Sequence, residues 1–331
     1  MTYTLLMIAG GLALLILGGE FLVRGAVALA ERIGISPLLI GLTLVGFGTS
    51  TPELVTSVQA AVAGSPGIAV GNIVGSNIAN LLLILGLAAM ISPIAVSARA
   101  LARDGALVVA TAALFAVVST YTTLSRPIGA AFIILLLAYI IFAWLQERAL
   151  AGEPHSLSSA AMGKAEAFEA AHPTLNEASR RTGAVVMGLV MTIGGLAIVV
   201  LGGSLLVSGA VSLARGLGLS ETLIGLTIVA VGTSMPELVT SIVAALKRQS
   251  DVALGNVFGS NIYNTLGIGG VTALISPTVV PPEIVRFDNL VMIGISFLVF
   301  VFAATRYCIG RREGALLLTG YVGYLWFIWP V

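Results

Sequence analysis

One segment of this sequence occurs twice, with a carboxylate in each copy. GLTLVGFGTSTPELVTS, residues 41–57, returns 184 residues later as GLTIVAVGTSMPELVTS, residues 225–241, with 13 of 17 positions identical and no gap. Glu53 and Glu237 thus occupy equivalent positions in apolar surroundings. A carboxylate at membrane depth costs several kcal/mol unless a partner neutralises it, so each is a candidate functional group. Two of them in an internal repeat are typical of a transporter that binds a cation between its halves.

The composition places the repeat in a membrane protein. Of 331 residues, 58% are hydrophobic and 9% are charged, and a chain with long apolar runs of this kind is an integral membrane protein. The N-terminal apolar run is long enough to be a first spanning helix, and it lacks the basic start of a signal peptide. Cys308 is the one cysteine, so an internal disulfide is excluded. About ten spanning segments are predicted, centred near residues 13, 50, 80, 112, 135, 195, 234, 264, 298 and 322.

The basic residues predict the orientation of these segments. If the N-terminus lies outside and ten helices alternate, thirteen Lys and Arg residues fall inside, and only Arg126, Arg215 and Arg286 fall outside. Positive charge accumulates on the inner side of membrane proteins. Both termini are therefore expected outside the cell membrane.

The similarity extends over both halves at the same offset. VGNIVGSNIAN, residues 70–80, matches LGNVFGSNIYN, residues 254–264. Five helices per half is an odd number, so the second copy must enter the membrane with the opposite polarity. Arg24 becomes Ser208 and Gly64 becomes Arg248, as the inner-side bias requires of an inverted copy. We expect an all-α membrane fold of ten helices in two inverted five-helix repeats, residues 1–151 and 183–331.

Residues 152–182 form the one long polar segment and predict a cytoplasmic linker with a short helix near residues 160–171. His155, His172 and nearby glutamates leave a regulatory ion site open as an alternative. No calcium-binding loop of the D-x-[DN]-x-[DN]-G type occurs there.

The repeated motif predicts a broken helix. Proline lacks an N–H and disfavours helical geometry in the residue before it, so GTSTPE and GTSMPE cannot be ordinary helical turns. Such a break is tolerated at membrane depth where it lines a cavity. Carbonyl, hydroxyl and carboxylate oxygens are the ligands of hard cations such as Ca²⁺. The break exposes main-chain carbonyls near Gly46, Thr49, Ala230 and Thr233.

GSNIAN and GSNIYN add a second polar element in each half. Ser76 and Asn80 are four residues apart and share a helix face; Asn77 is three residues before Asn80. The equivalent residues are Ser260, Asn261 and Asn264. A single serine or asparagine commonly joins helices in membranes, whereas the duplicated set beside a glutamate favours a binding site. Glu20 lies one turn from Arg24, and we interpret it as half of an intrahelical ion pair.

These paired motifs resemble the two alpha repeats of the cation/calcium antiporter superfamily, in its prokaryotic sodium/calcium exchanger branch. The resemblance covers nearly the whole chain apart from the linker. It implies a site between helices 2, 3, 7 and 8, with Ca²⁺ held by Glu53, Glu237 and the main-chain oxygens of Thr49 and Thr233. It further implies Na⁺ sites from Gly46, Ser50, Ser76, Ala230, Ser234 and Ser260, with Asn80 and Asn264 at the centre.

One position departs from some relatives. The potassium-dependent branch carries Asp where this chain has Asn264, which argues against potassium co-transport. The expected function is Ca²⁺/Na⁺ antiport across the lipid bilayer, with Ca²⁺/H⁺ antiport as an alternative and a cation channel as a weaker one. No constellation of an intramembrane enzyme occurs, and we expect no cofactor, no nucleic acid partner and no obligate protein partner.

Overall fold

The computed structural model describes residues 2–32, 50–121, 123–150, 184–246, 248 and 250–329. The linker at residues 152–182, and with it the predicted short helix and both histidines, lies outside this part of the chain. In chain order the elements are α1 Thr2–Arg32, α2 Thr51–Val62, α3 Pro66–Ile91, β1 Ile94–Ala95, α4 Ala98–Tyr121, α5 Arg126–Leu150, α6 Ala184–Leu217, α7 Glu221–Thr233, α8 Met235–Leu246, α9 250–275, α10 Ile284–Arg306, β2 Cys308–Ile309 and α11 Arg311–Ile328.

The described helices confirm a multi-pass membrane protein. Six are long and apolar enough to cross a membrane, or seven if the bent pair of α7 and α8 is one span. The predicted centres near residues 264 and 322 fall on α9 and α11, which are helical but are not among these seven. The centre near residue 50 is described only from Ser50 onward.

α3 occupies the middle of the bundle. Of its apolar stretch 83% is buried, against 28% for α1 and 44% for α4. It joins two hydrophobic clusters: Ile73 belongs to the larger one, with Phe115 and Phe258, and Ile68 belongs to the smaller one. Because other helices surround α3, its polar residues face the protein interior and not the lipid.

α1 and α6 are equivalent helices of the two halves, and they pack antiparallel in backbone contact. A Cβ built at Gly11 would lie 2.8 Å from the carbonyl oxygen of Gly202, and one at Gly25 would lie 2.6 Å from that of Gly188. Small residues let membrane helices approach this closely. The glycines of this contact recur every seven residues: Gly11, Gly18 and Gly25 of α1, and Gly195, Gly202 and Gly209 of α6.

Local irregularities also repeat between the halves. π-helical turns occur at Asn80–Ile84 in α3 and Tyr263–Ile268 in α9, and again at Leu101–Gly105 in α4 and Ile284–Asp288 in α10. α7 contains a further one at Gly225–Val229. Such turns are rare and concentrate at functional sites. The sequence did not predict them.

A small β ribbon was also not expected. β1 and β2 pair antiparallel, with Ile94 opposite Ile309, and an isolated bridge joins Leu124 to Thr278. The offset of 184 residues carries Ile94 to Thr278 and Leu124 to Cys308, the neighbour of Ile309 in β2, so the two pairings occupy corresponding places in the halves. The other elements of the described residues are all helices, and the all-α expectation holds apart from these short pairings.

The contact between α1 and α6 gives a test of close packing. We expect Gly195→Ala to reduce the stability of the protein by about 1–3 kcal/mol, because the new methyl group overpacks the contact. Its Cβ would lie 2.4 Å from the backbone nitrogen of Leu22. Thermal unfolding in detergent measures the change.

Gly194→Ala is the matched control. It adds the same methyl group one residue earlier, where no atom of the described residues lies within 4 Å. Equal unfolding temperatures for the two variants would contradict backbone contact between α1 and α6.

Candidate functional site

The predicted broken helix is confirmed in the second half. α7 ends at Thr233, Ser234 has φ −82° and ψ 10°, and α8 leaves at 48° to α7. Pro236 offers no N–H to the carbonyl oxygen of Gly232, four residues earlier. This carbonyl therefore lacks its helical donor, next to the predicted position at Thr233. The prediction of a freed carbonyl at Ala230 is wrong, because that oxygen keeps its helical hydrogen bond from the N–H of Ser234 at 3.1 Å.

The first half shows the same turn at the point where its description begins. Ser50 has φ −94° and ψ 14°, and α2 starts at Thr51 with Pro52 in its first turn. Gly46 and Thr49, two of the predicted oxygen donors, lie outside the described residues. Their main-chain oxygens therefore stay predictions.

The two glutamates lie in the interior, and each accepts a hydrogen bond from the opposite half. Glu53 is 1% exposed and Glu237 is fully buried. The hydroxyl of Ser50 donates to Oε1 of Glu237 at 2.7 Å, and the hydroxyl of Ser234 donates to Oε1 of Glu53 at 2.9 Å. The serine at the break of each half thus donates a hydrogen bond to the glutamate of the other half. The four side chains form one site.

α3 and α9 contribute the predicted serines, both fully buried. The hydroxyl of Ser260 donates to Oε1 of Glu237 at 3.3 Å. The hydroxyl of Ser76 donates to the main-chain oxygen of Ala230 at 3.4 Å. The structure therefore brings Ser76, Ser260 and Ala230 into contact with the site, although the two serines bind different kinds of oxygen.

The asparagines of the second motif follow these serines on the same two helices. Nδ2 of Asn80 donates to Oδ1 of Asn261 at 3.1 Å, which links α3 to α9. Asn77 donates to the hydroxyl of Thr265 at 2.9 Å. Asn264 is fully buried, and neither atom of its amide has a hydrogen-bond partner among the described residues. Its oxygen is therefore available to a ligand.

The donor set suits a hard cation. No group of three or more His, Cys, Asp and Glu side chains occurs in the described part of the chain, so neutral oxygens must complete any shell around the two carboxylates. Hydroxyl, amide and carbonyl oxygens are ligands that Ca²⁺ accepts, and it takes about 6–8 of them. The arrangement can therefore bind such an ion.

The sequence reasoning missed two residues next to the glutamates. Asn72 of α3 donates to the main-chain oxygen of Glu53 at 3.1 Å, and Asn256 of α9 donates to that of Glu237 at 3.0 Å. Both lie within the repeated motif, five and eight residues before the two asparagines that the sequence analysis selected in each half. Their recurrence at the offset of 184 residues was the available signal.

Glu20 does not belong to the site. It forms an ion pair with Arg24 on α1, which confirms the sequence interpretation. Two buried carboxyls that the sequence did not single out also have partners elsewhere: Asp104 accepts hydrogen bonds from Arg103 and Tyr139, at 2.8 and 2.9 Å. Its equivalent Asp288 accepts one from Tyr324 at 2.9 Å.

Known proteins match this chain over both of its halves. The family model described as sodium/calcium exchanger protein matches residues 3–145 and 187–329. The chain is 35% identical over 324 residues to the putative antiporter CaxA of Alkalimonas amylolytica, with 96% of each chain covered. It is 35% identical over 342 residues to the sodium/calcium exchanger MaX1 of Methanosarcina acetivorans, with 98% of each covered.

A solved structure agrees with the fold. The sodium-calcium exchanger NCX_Mj, soaked with 10 mM Na⁺ and 10 mM Sr²⁺, is 30% identical and superposes with a TM-score of 0.64, covering 99% of each chain. Both repeats and the site between them lie within the matched region.

Proposed function

The chain belongs to the sodium/calcium exchanger protein family of cation/Ca²⁺ antiporters, and we propose that it exchanges Ca²⁺ for Na⁺ by alternating access. The crossed hydrogen bonds, Ser50 to Glu237 and Ser234 to Glu53, are the observation that carries this proposal. They place one carboxylate of each half in a single buried site. Such a site can be reached from one side of the membrane and then from the other when the halves rearrange.

The proposed ligands are oxygens of the two breaks and of α3 and α9. The two glutamates bind Ca²⁺ with the main-chain oxygens of Thr49 and Thr233. Na⁺ binds on either side of this position, and Asn80 and Asn264 complete the centre. The Na⁺ ligands come from Gly46, Ser50, Ser76, Ala230, Ser234 and Ser260.

The charge of the site explains coupling between the ions. Two ionised carboxylates give a charge of −2, which one Ca²⁺ or two Na⁺ neutralise. An empty site would leave both charges buried without compensation, and burial of an uncompensated charge is strongly unfavourable. The unloaded protein therefore resists the closed state through which access alternates. Exchange results, because the return step requires a counter-ion.

Sodium is the proposed driving ion because MaX1 and NCX_Mj, which match nearly the full chain, are sodium/calcium exchangers by name. Two protons would also neutralise the site, so Ca²⁺/H⁺ exchange is the alternative that the experiment below separates. Asn264 adds no third carboxylate, which leaves no charge for a K⁺ ion to balance.

We further propose ten spanning helices in two inverted repeats, residues 1–151 and 183–331, joined by a cytoplasmic linker and with both termini outside a prokaryotic inner membrane. The antiparallel contact of the equivalent helices α1 and α6 supports the inversion. The π turns and β pairings at equivalent positions support the repeat.

Ca²⁺ uptake into reconstituted vesicles under separately imposed Na⁺ and pH gradients tests the proposal. We expect Ca²⁺ uptake when the Na⁺ concentration is higher inside the vesicles than outside. We expect no Ca²⁺ uptake when only a pH gradient is imposed. Glu53→Gln and Glu237→Gln should each abolish exchange, because each removes half the charge of the site, while membrane insertion is retained. Near-normal uptake by either variant would overturn the site, and uptake driven by pH alone would favour Ca²⁺/H⁺ exchange.

Asn264→Asp tests the charge of the centre. The substitution brings the charge of the site to −3 if all three carboxyl groups are ionised. The new carboxyl would lie within a few Å of the two glutamates, so it either repels them or takes up a proton. We expect slower exchange or a new dependence on pH, with a response to K⁺. A variant that equals the parent in rate, pH profile and indifference to K⁺ would show that position 264 does not face the ions.

The orientation is tested with single cysteines after replacement of Cys308. Val279 and Tyr307 are 63% and 52% exposed, in loops predicted on opposite sides. Val279→Cys should react with an impermeant thiol reagent added outside whole cells, and Tyr307→Cys only after the membrane is opened. The reverse pattern would refute the orientation that the basic residues predict.

A further inference from the structure

Asn72 and Asn256 occupy equivalent positions on α3 and α9, are fully buried, and do not belong to the proposed set of ligands. We propose that they are positioning residues that hold the main chain of the two glutamates, and that Asn72 also couples Glu53 to Thr233 of the opposite half. This inference rests on the proposed function, because it concerns the same ion site.

The contacts of the two asparagines repeat with nearly the same lengths. Asn72 donates to the main-chain oxygen of Glu53 at 3.1 Å and to the hydroxyl of Ser57 at 2.9 Å. Asn256 makes the equivalent bonds, at 3.0 Å to Glu237 and at 2.8 Å to Ser241. A side-chain amide carries two N–H donors, and both partners lie on the short helix that carries the glutamate. Each asparagine therefore fixes one carboxylate-bearing helix against its neighbour.

The partners of Asn72 also determine which way its amide faces. The main-chain oxygen of Glu53 can only accept, so Nδ2 must point toward it and Oδ1 must point away. Oδ1 then lies 3.0 Å from the hydroxyl of Thr233, which donates to it. Thr233 belongs to the other half and is the last residue of α7 before the break.

The single hydrogen of the Thr233 hydroxyl has other acceptors within reach. The carbonyl oxygens of Val229 and Ala230, on its own helix, lie at 3.0 and 3.3 Å. Asn72 thus offers an acceptor outside the helix, and the bond to it fixes Thr233 against α3. Oδ1 of Asn256 has no partner among the described residues. Thr49, the residue equivalent to Thr233, lies outside this part of the chain, and the link between halves is therefore proposed for Asn72.

A physical consequence for binding follows from this chain of contacts. Glu53 supplies a carboxylate and Thr233 a main-chain oxygen to the proposed Ca²⁺ position. Asn72, which is not among the proposed ligands, contacts both residues. Removal of a residue that contacts the ligands of a metal typically lowers metal affinity or activity by about 10–100-fold. All three residues are buried, so water does not readily replace a lost bond.

Ca²⁺ uptake kinetics of Asn72→Ala in vesicles test the proposal. We expect the KM for Ca²⁺ to rise by about 10–100-fold, and Ca²⁺ to lose most of its effect on the thermal unfolding temperature, because weaker binding stabilises the folded state less. Asn289→Ala is the matched control: Asn289 is also buried and donates to a serine hydroxyl, that of Ser119 at 2.7 Å, away from the site. It should lower stability without Ca²⁺ and leave the KM unchanged.

The coupling to Thr233 is tested by a double-mutant cycle. Thr233→Val removes the hydroxyl and keeps the main-chain oxygen. If Asn72 acts through this hydroxyl, the effect of Asn72→Ala on the KM is smaller in the Thr233→Val background than in the parent. If Asn72→Ala does not fold, Asn72→Gln, which displaces the amide by one methylene, takes its place in the same cycle.

The outcomes separate the two proposals. An active parent with an unchanged KM in the Asn72 variant, or an equal rise in the Asn289→Ala control, overturns the positioning role. Strictly additive effects in the cycle overturn the link to Thr233. A parent without Ca²⁺ transport or Ca²⁺-dependent stabilisation overturns the proposed function itself.

Discussion

The structure depends on the burial of two carboxylates that face each other across the boundary between its halves. Removal of a carboxylate from water is costly unless hydrogen bonds and counter-charge replace hydration. Here the serine at each break donates to the carboxylate of the other half, at 2.7 and 2.9 Å. Glu237 also accepts a 3.3 Å hydrogen bond from Ser260 of its own half, so its partners come from both repeats. The crossed pair of serine–glutamate bonds therefore forms only when the two repeats are assembled, and the proposed cation would compensate the two carboxylates in their ionised form.

The surrounding helices divide into a polar, buried group and an apolar, exposed pair. α3 is buried over most of its length and carries Asn72, Ser76 and Asn80 toward the breaks. α1 and α6 contact each other through glycines and expose most of their apolar surface. α6 also contacts α2, where the amide of Gln59 donates to the carbonyl oxygen of Val200 at 2.9 Å. This hydrogen bond joins the pair to α2, the short helix that carries Glu53.

Sequence reasoning reached those features that local chemistry determines. The break at Ser234 follows from Pro236, and the Glu20–Arg24 ion pair follows from helical spacing. Membrane embedding followed from apolar content, and the family from the paired motifs. The crossed serine–glutamate bonds could not be predicted, because residues 187 and 181 positions apart meet only when the halves assemble. The π turns and the ribbon of Ile94 with Ile309 likewise depend on packing and leave no residue pattern of their own.

The neutral amide at position 264 fits the charge of the site. With two carboxylates, one Ca²⁺ gives an electrically neutral interior, whereas a third ionised carboxylate would leave one charge without compensation at a fully buried position. Asn264 still supplies an oxygen, and it has no hydrogen-bond partner among the described residues. Buried polar atoms of native proteins usually have partners, so an ion or water is the expected occupant of this place. Its counterpart Asn80 donates to Asn261. Oδ1 of Asn80 also has no hydrogen-bond partner among the described residues. Both central amides thus keep an oxygen for the proposed ion, and Asn80 in addition joins α3 to α9.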